Sequence, residues 1–436
     1  MSTTRAQGIS LITATAVVVA NMIGTGVFTS LGFQVGSLPS GFVLLMLWVV
    51  GGVCAFCGAV CYGELAAALP RSGGEYHFLS KIFHPAVGFL SGWLSVTVGF
   101  AAPIALAAMA FRKYFSGIFP NAPATTWSLV MVWIVTLIHV GGIHMAAKFQ
   151  NTATWLKVAL ILVFIGAGFW LGKAQPVQFL PVSGDMDLLG STPFAVSLVY
   201  VMYAYAGWNA ATYIVGDIRD PQKNVPLAIA FGTLLVAGLY LALNAVFLHV
   251  APMSELNGKL DVGHVAAVHI FGETGGKIMS GLICLGLVSS ISAMTWVGPR
   301  VMKTMGQDLR ILAPLAVSDD RGVPVTGLFV QLAIVVTLLL TASFETVLTC
   351  VQFSIQLGSF ATVVGLIVLR IRQPDLPRPY RCWGYPVTPI LFLAISAWMM
   401  VFVAKKHPEE TLAGMALILL GWIIYFISPR TPRTHE

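Results

Sequence analysis

Two short segments carry chemistry in their backbone rather than in their side chains. In Asn21-Met22-Ile23-Gly24-Thr25-Gly26-Val27-Phe28 two glycines flank a threonine inside an otherwise apolar run. In Tyr203-Ala204-Tyr205-Ala206-Gly207-Trp208-Asn209 a glycine sits among aromatic and small residues. A helix interrupted there leaves unpaired N–H groups at the start of the second piece and unpaired C=O groups at the end of the first. The positive dipole end attracts a carboxylate, and free carbonyls attract an ammonium. A zwitterionic α-amino acid carries both groups and would fit such backbone without any charged side chain. Glycine pairs in membrane helices also serve close packing. The argument for a site therefore rests on two interruptions at comparable depth in two halves of one chain.

Few side chains add to this. Lys157 is the only basic residue well inside an apolar run, a position that marks function unless the side chain snorkels to the surface. Tyr205 and Trp208 border the second break and could close over a substrate, although membrane aromatics also pack or sit at interfaces. Ser289, Ser290 and Ser292 could line a route or hydrogen-bond between helices. His139 and His144 read as structural. Among the 17 Asp and Glu residues none falls clearly at mid-membrane: Asp185, Asp187 and Glu273 read as connections, and Glu64, Asp217 and Glu345 lie near the ends of apolar runs. Glu64 and the polar run from Arg71 to Tyr76 read as parts of a cytoplasmic gate. Cys54, Cys57 and Cys61 share a helix face, and small packing residues explain them more simply than a metal or redox site. No nucleophile and base are spaced for an enzyme, and no ring of charges suits a channel. No cofactor or metal is implied.

The elements that must position these residues follow from composition. Of 436 residues, 57% are hydrophobic and 9% charged, against roughly 25% charged in soluble domains. Apolar runs long enough to cross a bilayer, or nearly so, fall at 9–33, 41–67, 86–110, 126–145, 152–171 and 193–215. Six more fall at 226–250, 276–301, 326–342, 345–369, 389–404 and 412–427. This predicts an all-α integral membrane protein of twelve transmembrane helices with short connections. Of the 24 Lys and Arg, sixteen lie in the tails and one set of alternate connections, seven lie on the opposite side, and Lys157 remains inside. The positive-inside rule then places both termini in the cytoplasm. The net charge of +7 is explained by this topology; dispersed charges without an aromatic platform give no reason to expect nucleic acid as a partner. The first apolar run lacks a small-residue cleavage site and reads as a retained span. The six cysteines offer no pair in outside loops for a disulfide framework.

Ile23-Gly24-Thr25-Gly26-Val27-Phe28 resembles the (I/M)G(S/T)G(I/V)F signature of permeases in the amino acid/polyamine/organocation superfamily. Further segments match in order along the chain. They are Tyr62 to Leu65 with Pro70 to Tyr76, Tyr205 to Asn209 with Asp217 to Pro226, Gly298 to Val301, and Arg378 to Pro386. The likeness is greatest to bacterial members related to the L-type amino acid transporters. Asp217 stands where relatives often carry Glu.

The resemblance implies one transporter unit over 1–436 with a LeuT-type fold. Residues 1–171 and 193–369 would form five-helix repeats of inverted topology with helices 1 and 6 broken, and 387–428 two peripheral helices. It implies a substrate carboxylate on the Ile23, Gly24, Thr25 and Gly26 segment and an ammonium at Ala206 and Gly207. Tyr205, Trp208 and Ser289 would lie beside it. In proton-coupled relatives a lysine at the position of Lys157 replaces a sodium ion; relatives that exchange amino acids carry it too. The expected activity is sodium-independent, proton-coupled uptake of neutral L-amino acids by alternating access in a bacterial cytoplasmic membrane. Obligatory exchange and cationic amino acid or polyamine transport are the alternatives. The missing mid-membrane carboxylates argue against a cationic substrate.

Overall fold

A computed structural model describes residues 8–141, 143–309 and 312–427, with the backbone alone at 143–150, 345, 349, 350 and 410. The side chains of His144, Glu345 and Cys350 therefore fall outside the described residues.

The chain begins with α1 (Leu11–Met22), α2 (Gly26–Gln34), α3 (Gly41–Ala68) and α4 (Glu75–Ile82). Next come α5 (Pro85–Leu94), a π-helical turn (Ser95–Phe100) and α6 (Ala101–Ile118), which together form one long rod. Then follow α7 (Ala124–Val140), α8 (Ile143–Leu171), the short α9 (Asp185–Leu189) and α10 (Thr192–Tyr205). A 3-10 segment (Ala210–Asp217) leads to α11 (Pro221–Val250), the short α12 (Met253–Leu256), α13 (Val262–Asp308) and the short α14 (Ala313–Ala316). The last four are α15 (Val325–Thr341), α16 (Phe344–Arg372), α17 (Val387–Lys406) and α18 (Pro408–Ile427).

Serine side chains accept the free N–H groups that open several of these helices. Ser10 caps α1, Ser40 caps α3, Ser191 caps α10 and Ser343 caps α16. Proline occupies the first turn of α5, α10 and α11, where its missing N–H costs no hydrogen bond.

Among the described residues, eight stretches are long and apolar enough to cross a bilayer, counting α1 and α2 as one. Three shorter apolar helices, Ala124–Val140, Val325–Thr341 and Thr411–Ile427, accompany them. In the apolar run 193–215 the α-helix stops at Tyr205, inside the interruption expected at 203–209, and beyond Gly207 only the tighter 3-10 segment continues. The helix expected over 126–145 is shorter: α7 stops at Val140 with Gly141 as its cap. Glu273, expected in a connection, lies within α13 directly after the bend at Gly272, whose φ of +73° only glycine adopts readily.

α1 and α2 run through the middle of the molecule, where Val17, Val18, Val19 and Leu31 are fully buried or nearly so. α11 packs across α3 more extensively than any other pair of elements, and α13 packs against α6 and α8. α2 lies along α10, with Ser30 donating to the Tyr200 carbonyl at 3.1 Å. The outer faces carry large exposed apolar side chains, among them Trp127, Trp133, Leu162, Trp170, Phe231 and Phe426. A soluble monomer does not tolerate so much contiguous apolar surface, and hydrocarbon is the solvent that suits it. With its several long apolar helices, this is a multi-pass membrane protein.

Candidate substrate site at two broken helices

α1 ends at Met22, and Ile23 leaves the helical region with ψ of 85°. α2 restarts at Gly26. In the second break Ala206 is extended, with ψ of 147°, and Gly207 takes φ of +99°. The breaks are packed on each other. A Cβ on Gly26 would lie 2.4 Å from the Ala204 Cα, and one on Gly207 would lie 2.8 Å from the Asn21 carbonyl oxygen. Glycine is required at both positions by space, and at Gly207 by backbone conformation as well.

Hydrogen bonds hold the two breaks in register. The Tyr240 hydroxyl of α11 lies 2.6 Å from the Met22 carbonyl oxygen and 3.1 Å from that of Ala204, so one group reaches the exposed ends of both first halves. Thr25 Oγ1 and the Tyr203 hydroxyl pair at 3.0 Å. Behind the first break, Lys157 Nζ donates to the Ile23 carbonyl at 2.6 Å and to Ser290 Oγ at 2.8 Å. Ser290 in turn donates to the same carbonyl. Lys157 is buried and does not snorkel; its ammonium occupies the carbonyl end of the first half-helix, where the dipole favours a cation.

The breaks open onto one cavity. Gly24, Thr25, Gly26, Ala206 and Gly207 line it, and Tyr203, Phe100, Tyr213, Asn209 and Ser290 complete much of its wall. Among the residues that line it, Glu75 alone is charged.

The other residues read from sequence lie elsewhere. Ile23 is fully buried, and its carbonyl faces Lys157. Tyr205 turns toward α3, donating to the Trp48 carbonyl at 3.0 Å with its ring against Trp48 and Tyr240. Trp208 packs edge-on against Tyr62 and Phe392. Ser289 is buried, and its neighbour Ser290 reaches the cavity instead. His139 pairs with Ser292 at 2.9 Å. Glu64 is buried at the end of α3, where it accepts from Arg370 Nε at 2.8 Å and the Cys382 N–H at 2.7 Å and lies 3.2 Å from Arg378 Nε.

The polar run before α4 does meet the ends of distant helices. Arg71 pairs with Asp308 at 3.1 Å, and the Tyr76 hydroxyl donates to the same carboxylate at 2.7 Å. The Gly216 N–H reaches Ser72 Oγ at 2.8 Å, and Asp217 pairs with Arg300 at 2.8 Å.

Glu75, expected only as one member of the polar gate run Arg71 to Tyr76, lines the cavity itself. Its carboxylate accepts from Tyr62, from Ser359 at 3.0 Å, from Ser91 at 3.2 Å and from Asn209 at 3.3 Å. Burial pushes its carboxyl group up from the usual range, and those four hydrogen bonds pull it back in part. The available signal was the Gly73-Gly74 pair just before it, with φ of +117° and +52°. Two left-handed residues in succession turn the chain sharply enough to aim the first residue of α4 inward.

An amino acid permease family model matches residues 9–428 of the chain. The chain is 27% identical to the large neutral amino acids transporter small subunit 2 of Rattus norvegicus, covering 96% of this chain and 80% of that protein. It is 26% identical to the human Asc-type amino acid transporter 1, covering 96% and 82%. It is 24% identical to the mouse b(0,+)-type amino acid transporter 1, covering 98% and 88%.

Proposed function

The chain belongs to the amino acid permease family, whose members are transporters and not enzymes, and on that premise we propose that it carries neutral L-amino acids across a membrane by alternating access. The single observation behind this reading is that Gly26 and Gly207, on different broken helices, are each pressed against the other break where both line one cavity. In this reading the substrate carboxylate takes the backbone N–H groups from Gly24 to Gly26 and the Thr25 hydroxyl. The ammonium takes the Ala206 and Gly207 carbonyls. Tyr203, Phe100 and Tyr213 then border the side chain in place of Tyr205 and Trp208, which face α3. Glu64 acts at the gate through Arg370 and Arg378, as a brace between α3 and the end of α16.

We assign twelve spans, with 1–171 and 193–369 as inverted five-helix repeats and 387–428 as two peripheral helices. The breaks between α1 and α2 and after α10 then hold equivalent places in the two repeats. The Lys and Arg asymmetry supports both termini in the cytoplasm, and we assign the membrane as a bacterial cytoplasmic one.

Coupling centres on Lys157. An ammonium 2.6 Å from the Ile23 carbonyl fills the place that a sodium ion would need, which supports sodium-independent transport; we take a proton as the coupling ion. Obligatory exchange is the second reading, because an ammonium that never leaves Ile23 requires no ion gradient. A neutral substrate is supported by the name of the large neutral amino acid relative. It is also supported by the four donors already gathered on Glu75, which leave that carboxylate poorly placed for a substrate cation. The test is uptake of labelled neutral and cationic amino acids by proteoliposomes, with and without a pH gradient, sodium and internal substrate. Uptake driven by a pH gradient supports symport, and stimulation by internal amino acid alone supports exchange. A requirement for sodium overturns the role given to Lys157.

A further inference from the structure

We propose that Glu75 is a proton-binding latch of the cytoplasmic gate, taking up a proton as the gate closes beneath the cavity and releasing it as the gate opens. The proposal rests on alternating access but holds for symport and exchange alike.

The geometry carries it. Glu75 gathers donors from four separate parts of the molecule: Tyr62 on α3, Ser91 on α5, Asn209 just past the second break and Ser359 on α16. A fifth contact is backbone. A Cβ on Gly358 would lie 2.6 Å from Glu75 Oε2, so α16 is shaped around this carboxyl group. These elements must separate if the cavity is to open to the cytoplasm along α4, and they cannot separate without releasing Glu75.

A carboxylate in that place is poorly compensated. Glu75 is 5% exposed, and among the described residues no cation lies within ion-pair distance of it. The titratable groups facing it are the phenols of Tyr62 on α3 and of Tyr213 on the 3-10 segment. A phenol is ordinarily neutral near physiological pH. α5 and α16 present Ser91 and Ser359, which do not titrate. On α4 itself, His77 is held at about 4 by burial and by Arg71 and Lys81, so it stays neutral near physiological pH. Arg71 and Tyr76 are engaged by Asp308.

In the closed form the neutral acid keeps its hydrogen bonds, because the hydroxyls of Tyr62, Ser91 and Ser359 can rotate to accept as well as donate. Opening admits water, which solvates the ionised form. Closed Glu75 therefore holds a proton more tightly than open Glu75, and by linkage acidification of the cytoplasmic side favours closure. The proton comes from cytoplasmic water on closing and returns there on opening.

The test reads access to the cavity from the cytoplasmic side. Ala107 lines the cavity and carries no hydrogen-bonding side chain. Ala107→Cys is labelled in inside-out vesicles with a membrane-impermeant thiol reagent, alone and combined with Glu75→Gln, which mimics the protonated acid. Both proteins share the same thiol chemistry, so the ratio of their labelling rates isolates the gate. A difference of about one pKa unit between closed and open forms makes that ratio rise about tenfold from about pH 5 to about pH 8. A ratio that stays constant overturns the proposal. If Glu75→Gln does not reach the membrane, Glu75→Asp replaces it: a displaced midpoint supports the latch and an unchanged one contradicts it. Uptake of labelled amino acids in the same vesicles separates the two claims. Uptake with a flat ratio overturns the latch alone, whereas a pH-dependent ratio without uptake of any amino acid overturns the transport reading and leaves the latch standing.

Discussion

Gly26 and Ala204 meet backbone to backbone. They lie on different broken helices, and a Cβ on Gly26 would stand 2.4 Å from the Ala204 Cα. Gly207 and Asn21 make the reciprocal contact, so substitution at either glycine should disturb both breaks. Gly26→Val is expected to abolish uptake. Gly207→Ala should reduce uptake at least about tenfold and destabilise the fold by about 1–3 kcal/mol, combining backbone strain with overpacking. Uptake and thermal unfolding of the purified variants check this together.

The Lys157 ammonium serves the Ile23 carbonyl and Ser290 at once. Lys157→Met keeps the bulk and removes the donor, leaving buried polar atoms short of a partner at a cost of about 1–3 kcal/mol. Transport by this variant is expected to fall at least about tenfold, with no response to a pH gradient. Wild-type uptake should be the same in sodium and in potassium. Proteoliposome assays in matched salts decide it.

Tyr240 offers the simplest probe of how the breaks are held. Tyr240→Phe deletes only a hydroxyl, yet it takes a donor from the carbonyls of Met22 and Ala204. Stability should drop by about 1–3 kcal/mol, and substrate KM should rise because the two half-helix ends lose their common reference. A variant with wild-type KM and Tm would contradict the assignment.

His77 gives a pH dependence with a defined sign. It lies outside the spans, and burial with Arg71 and Lys81 nearby holds its imidazole at about 4, below its ordinary 6.5. The unfolded chain therefore binds the proton first, and stability should fall as pH is lowered from about 6.5 toward about 4, by up to about 3 kcal/mol. His77→Gln should flatten that part of the profile, as measured by thermal unfolding across pH.

The breaks and Lys157 were legible in the sequence because glycine within an apolar helix and a cation within hydrocarbon are local signals. Which face a side chain takes was not legible. Tyr203 and Tyr205 are two residues apart and point to opposite sides of α10; the turn at Gly207 then brings Trp208 against Tyr62 of α3, and the 3-10 segment beyond it changes the phase again and turns Tyr213 inward. Glu75 was legible only as part of the polar gate run Arg71 to Tyr76, because hydropathy places it in a connection and not at the cavity. Only the two left-handed glycines before α4 and partners as distant as Ser359 bring it to the cavity. The pairing of Glu64 with Arg370 is long-range in the same way and has no local signature.

The most direct test of the account compares wild type and Gly207→Ala for uptake of a labelled neutral L-amino acid into proteoliposomes free of sodium. Substrate held by exposed backbone at the two breaks requires accumulation by the wild type and at least about a tenfold loss in the variant. Equal uptake by the two proteins, or wild-type uptake that appears only with sodium, would contradict it.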